Sequence, residues 1–185
     1  AEVVIRKTEF RPYFDPVSEY SRMLSELTED KARNLLIVKD VAAIHQKNSG
    51  ICLVLSDRKA HCENLRVLLK YRHQITAEVL TGDLSNKQRK SLTERLHAGE
   101  IKVLIATGQL IGEGFDCPQL ETLFLVTPIR FSGRLLQYLG RVLRPAPGKQ
   151  GARVFDYVDM HVDTLVKAAN ARQRVYPRPG QPHPN

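Results

Sequence analysis

Between residues 50 and 127 the chain switches repeatedly between two hydrophobic periods. GICLVLS (50–56), ITAEVLTG (75–82), IKVLIAT (101–107) and ETLFLVT (121–127) are short apolar runs bounded by small or turn-forming residues, and they read as strands. RKAHCENLRVLLKYR (58–72) and SNKQRKSLTERLHAG (85–99) carry apolar residues three or four positions apart and read as helices. Ser85 with Gln88 predicts a capping box at the start of the second helix, and Gly99 its stop. Upstream, EVVIRKTEF (2–10) alternates as an edge or linking strand. Pro12 and Pro16 then interrupt, and 17–27 and 30–46 return to helical spacing. Downstream, GARVFDYVD (151–159) predicts a last strand and HVDTLVKAANARQR (161–174) a last helix. The tail from 176 is Pro-rich and polar and reads as disordered.

Apolar strands alternating with amphipathic helices predict an α/β fold with a mostly parallel sheet covered on both faces. In such sheets ligands gather beyond the carboxyl ends of the strands. The loops at 56–59, 81–86, 107–118 and 127–133 are therefore where chemistry is expected. A length of 185 residues suits one core.

One helix stands apart. On a helix running through 134–144, Arg134, Gln137, Arg141 and Arg144 share a stripe about 80° wide, opposite Leu135, Leu136, Leu139, Val142 and Leu143. No Asp or Glu lies between Glu121 and Asp156 to answer these charges. The face either is solvated or awaits an anion from elsewhere. The loop GQLIGEGFDCP (108–118) spaces Gly108, Gly112 and Gly114 so that backbone can approach a ligand, or simply turn. Asp116 there would accept from ribose hydroxyls or cap the turn. The 185 residues contain no G-x-x-x-x-G-K-[ST] phosphate loop, and no acidic pair after an apolar strand that would hold Mg²⁺. A complete nucleotide site is thus not expected from this chain by itself.

Charge adds direction. Lys and Arg number 28 against 20 Asp and Glu, giving +8 and a pI near 9.6, a balance that favours a polyanion such as nucleic acid. No apolar run reaches the roughly 20 residues a membrane helix requires, and the first residues lack the layout of a signal peptide. Beginning at Ala1 suggests a processed chain or a piece of a longer one. Cys52, Cys62 and Cys117 show neither disulfide nor zinc spacing, so buried free thiols are expected. His45, His61, His73 and His97 lack ligand spacing as well; no metal site is expected.

The strand followed by TGQLIGEGFDCP, and then QYLGRVLR, resembles motifs V and VI of superfamily 2 helicases and translocases. ICLVLSDRKAHCENL resembles motif IV, and VLTGDLSNKQRKSLTERLHAGEIKVLIAT the stretch preceding motif V. The likeness covers about 30–160 and is to the C-terminal of two RecA-like domains, nearest the type III restriction and XPB-like DNA-acting branch. Gln137 stands where DEAD-box proteins usually carry His, and Asn86 where they place the Gln of Q-x-x-R ahead of Arg89; both departures weigh against RNA.

The resemblance implies a RecA-like three-layer sandwich over 30–175, with 1–29 a linking strand and helix and 176–185 a tail. It implies ATP and Mg²⁺ held mainly by a separate N-terminal RecA-like domain, the expected partner. Arg141 and Arg144 would act as arginine fingers and Gln137 would shape the site, while Gly114 and Asp116 would contact the nucleotide. Thr107, Thr81 and Gly82, with Ser56 and Arg58 as weaker candidates, would contact the backbone of DNA, or of RNA as the alternative. Arg130 and Arg134 match no family position. The chain is expected to be inactive alone and cytoplasmic, or nuclear in a eukaryote. A non-catalytic nucleic-acid-binding or docking domain of the same fold is the competing class.

Overall fold

A computed structural model describes residues 2–47, 50–109, 115, 117–129, 137–140 and 151–176. Six strands form one sheet: β1 (Glu2–Thr8), β2 (Ile51–Leu55), β3 (Glu78–Leu80), β4 (Val103–Ala106), β5 (Leu120–Leu125) and β6 (Arg153–Asp159). They lie in the order β1-β6-β5-β2-β4-β3, and every pairing is parallel. The labelled helices are α1 (Tyr20–Glu29), α2 (Lys31–Lys47), α3 (Lys59–His73), α4 (Asn86–His97) and α5 (Asp163–Val175).

Every residue of β2, β4 and β5 is buried, as expected of parallel strands covered on both faces. Their side chains divide by alternation into two cores. Cys52, Val54, Val103, Ile105, Phe124 and Phe155 face α2 and α3 through Ile37, Val38, Val41, Cys62, Leu65 and Leu69. Leu53, Leu55, Leu104, Leu123, Leu125 and Val154 face Leu92 and Leu96 of α4, together with Tyr138 and Leu139. A third cluster of Phe10, Met23, Leu27, Val162 and Leu165 joins α1 to the start of α5. These layers match the expected α/β three-layer architecture.

Two elements differ from a local reading. The apolar run 75–82 gives only three strand residues, because β3 is an edge with one neighbour and pairs only Glu78–Leu80 with Leu104–Ala106. Gln74, at φ 55°, ends α3 in a left-handed cap, and 75–77 return the chain to the sheet. At the opposite edge, β1 pairs residue for residue with β6 from Glu2↔Arg153 to Thr8↔Asp159. The segment 2–29 thus contributes a strand to the sheet and Met23 and Leu27 to the core.

Buried charges fasten these layers. Arg33 at the start of α2 is 2% exposed; its guanidinium donates to both Asp159 oxygens at 2.8 and 3.2 Å and to the Val126 carbonyl at 2.6 Å. Thr8 donates its hydroxyl to the same Asp159 carboxylate at 2.5 Å. One side chain thereby ties α2 to the carboxyl ends of β5 and β6, and β1 joins the same knot. Asp156, at 0% exposure, receives Arg172 of α5 through both oxygens at 3.0 and 2.8 Å.

Candidate functional site at the carboxyl edge of the sheet

Because all six strands run the same way, their carboxyl ends share one edge. Across its centre the last residues are Thr127 after β5, Ser56 and Asp57 after β2, Thr107 and Gly108 after β4, and Thr81 and Gly82 after β3. Backbone bonds carry the ladder to its end: Ser56 N–H donates to Ala106, Val126 N–H to Leu55, and Thr107 N–H to Leu80.

The loops beyond are packed against each other. The Asp57 backbone N–H donates to the Thr127 hydroxyl at 3.0 Å. A Cβ on Gly108 would lie 2.9 Å from Asp57 Oδ1, so the carboxylate rests over that glycine's backbone. The carboxyl group is desolvated there although the residue is exposed overall, and its pKa rises above the ordinary aspartate value, with Arg58 opposing. On the far side, Gln109 Oε1 lies 3.2 Å from where a Gly82 Cβ would sit. Lys59, at the first turn of α3, reaches Asp83 at 2.7 Å, an exposed pair joining the loops after β2 and β3.

The expected strand-contacting residues fall into two groups. Thr107, Thr81 and Gly82 are together on this edge; Thr107 is buried, Thr81 half-buried and Gly82 exposed. Ser56 instead points inward at 0% exposure and shares a 2.8 Å hydrogen bond with His61 Nδ1. Arg58 is half-buried and donates to the Ser21 carbonyl and hydroxyl at 3.4 and 3.3 Å, against the first turn of α1. Lys59 and Asp57 were not among the expected residues. They lie beside Arg58 in sequence, and a cation at the first turn after a strand was the available signal for Lys59.

His61 explains why Ser56 turns inward. Its Nε2 meets Asn34 Oδ1 at 2.8 Å, while Asn34 Nδ2 donates to the Thr28 carbonyl at 2.9 Å. That orientation makes Nε2 the protonated nitrogen and Nδ1 the acceptor for the Ser56 hydroxyl. Burial, with the nearby Arg33 charge adding to it, pulls the His61 pKa down to about 3. The ring is neutral and structural.

In the helical turn 137–140, Gln137 is exposed while the next two residues, Tyr138 and Leu139, are buried. Gly114, Asp116, Arg130, Arg134, Arg141 and Arg144 lie outside the described residues. Among the described residues no group of three or more His, Cys, Asp or Glu could hold a metal ion, and no helix is long and apolar enough to cross a membrane. The three cysteines are buried thiols that form no disulfide with one another.

Residues 30–146 match the family described as helicase conserved C-terminal domain. The ATP-dependent DNA helicase RecG of Bacillus subtilis is 27% identical over 192 aligned positions, covering 88% of this chain and 28% of RecG. The crystal structure of T4 UvsW superposes with a TM-score of 0.71 at 19% identity, covering 94% of this chain and 38% of UvsW. The C-terminal domain of the DEAD-box protein Dbp5 gives 0.65 at 16% identity, covering 93% of this chain and 84% of that one. The chain spans between 9% and 30% of the lengths of the curated relatives it matches. The fold is that of a RecA-like helicase C-terminal domain, and with a family match over more than half its length the chain belongs to the helicase conserved C-terminal domain family.

Proposed function

We propose that this chain is the C-terminal motor domain of an ATP-dependent helicase or translocase acting on DNA. ATP and its Mg²⁺ would be held mainly by a separate N-terminal RecA-like domain, with this chain closing the pocket. Arg141 and Arg144 would then reach the γ-phosphate, Gln137 would shape the site, and Gly114 and Asp116 would contact the nucleotide. Guanidinium suits the role because it stays charged and donates in a planar fork. The observation that carries the reading is the exposure of Gln137 directly before buried Tyr138 and Leu139. It supports the outward polar stripe that the spacing of Gln137, Arg141 and Arg144 calls for.

Thr107, Thr81 and Gly82 share one edge and would hold the strand by its backbone. Such contacts position a strand without reading its bases, so binding should be salt-sensitive and nearly sequence-independent. The likeness to RecG, named as a DNA helicase, supports DNA as the substrate. The deciding experiment is Arg141→Ala in the full-length protein. ATP turnover should fall by about 10³-fold or more while DNA binding persists. Unchanged turnover would return the chain to the class of non-catalytic docking domains. ATPase stimulation by duplex DNA, single-stranded DNA and RNA, compared side by side, tests the substrate.

A further inference from the structure

The edge that carries Thr107, Thr81 and Gly82 also carries an ion pair. Lys59, in the first turn of α3 after β2, donates to Asp83, which follows β3, at 2.7 Å. In the sheet β4 lies between β2 and β3. The two outer strands are thus about 10 Å apart, and the pair reaches past the end of β4, where Thr107 and Gly108 lie. Both side chains are open to water, Lys59 at 55% and Asp83 at 70% exposure. Among the described residues neither has another ionic partner. Arg58, the neighbouring cation, is turned away towards Ser21 of α1, so Lys59 is the cation of this loop that meets the loop after β3.

A polyanion arriving at this edge meets two acids. The Asp57 carboxyl rests over the Gly108 backbone, where desolvation pushes it towards its neutral form. Asp83 is an exposed carboxylate next to the exposed Gly82, and it would repel a phosphate unless it gave way. It is placed to do so. Exposed ion pairs are weak because water and salt screen them, so a phosphodiester can compete for the same ammonium. The position of Lys59 favours that competitor. Arg58 at the N-cap of α3 offers no side-chain acceptor to the first turn, and the positive end of the helix dipole adds to the ammonium charge.

We propose that Lys59 binds a phosphodiester of the nucleic-acid strand, and that Asp83 is its internal counter-ion until the strand arrives. This rests on the reading that places the strand across Thr107, Thr81 and Gly82, and adds to it a cation and a competitor for that cation. One anion replaces another at the ammonium, so Lys59 is paired in both states while the Asp83 carboxylate returns to water. Removing the lysine and removing the acid therefore change binding in opposite directions.

The test measures binding of a fluorescent single-stranded oligo-dT to the full-length protein, without nucleotide, across a salt series. Lys59→Ala should weaken binding by about tenfold. It should also flatten the slope of log affinity against log salt by about 0.7, the share of one phosphate contact on a single strand. Asp83→Asn should tighten binding by about threefold. Both residues are exposed, so the variants keep the fold, which equal melting temperatures verify. In the Lys59→Ala background Asp83→Asn should add nothing, because its gain comes from releasing the ammonium. An unchanged salt slope in Lys59→Ala, or an Asp83→Asn gain of equal size in both backgrounds, would overturn the proposal. Oligo-U titrated in parallel separates the sources: the same pattern on RNA alone assigns the phosphodiester to RNA. Thr107→Ala separates the two ideas. If it weakens binding while Lys59→Ala does not, only the exchange at Lys59 fails. If neither changes binding, the reading of this edge as the strand's path fails with it.

Discussion

Asp159→Asn isolates the fastener between α2 and the sheet. The wild-type carboxylate lies 2% exposed and accepts Arg33 through both oxygens and Thr8 through one. Asparagine keeps the shape but offers a single acceptor. Because Arg33 donates to both oxygens, the amide N–H₂ must face one of its N–H groups in either orientation, and the buried guanidinium is left without its counter-charge. Removing one member of a buried pair in this manner costs about 3–5 kcal/mol. With roughly 2–4 °C per kcal/mol for a domain of this size, melting should drop by about 6–20 °C. The same loss should appear as a lower urea midpoint at an unchanged slope. Because the surviving charge does the damage, Arg33→Met together with Asp159→Leu should be less destabilised than Asp159→Asn alone. A loss under about 1 kcal/mol, or a double variant worse than the single one, would refute the idea that charge burial governs this contact.

Two further outcomes follow from local geometry, alongside the Arg141→Ala and Lys59→Ala experiments above. His61 is neutral in the fold, with its pKa near 3, and titrates near 6.5 when unfolded. Below 6.5 the unfolded chain therefore binds a proton that the folded one refuses, and stability declines as pH falls towards 3. The slope from this one group is at most about 1.4 kcal/mol per pH unit. Denaturant titrations across that window should be flatter for His61→Gln, and identical slopes would contradict the assignment. Ser85 accepts from Gln88 N–H at 3.2 Å while Gln88 Oε1 accepts from Ser85 N–H at 2.9 Å. Ser85→Ala should cost about 1 kcal/mol and speed amide exchange at the first turn of α4.

Much of this arrangement was legible locally. β2, β4 and β5 are covered on both faces, so their burial is written as unbroken apolar runs, and the capping box at Ser85 is a three-residue signal. What the local pattern omits is distance. Arg33 and Asp40 read as ordinary polar positions on a helix, because their partners Asp159 and Tyr157 come more than 100 residues later. Ser56 reads as a loop hydroxyl, but the partner that draws it inward, His61, is fixed by Asn34 on another helix. The alternation of β1 marks a strand without saying which neighbour it joins. The nucleotide contacts proposed for Gly114, Asp116, Arg141 and Arg144 rest on motif spacing alone.

Family similarity begins at residue 30, but the pairing of the sheet begins at Glu2. A fragment trimmed to that limit would lose β1 and with it the Thr8 hydroxyl bonded to Asp159. It would also leave the long, mostly buried strand β6, RVFDYVD, as a bare border with its amide groups unanswered along one side. Such a border recruits other chains. Poor solubility of the shortened piece would then reflect a lost neighbour, with the helicase sequence itself unaltered.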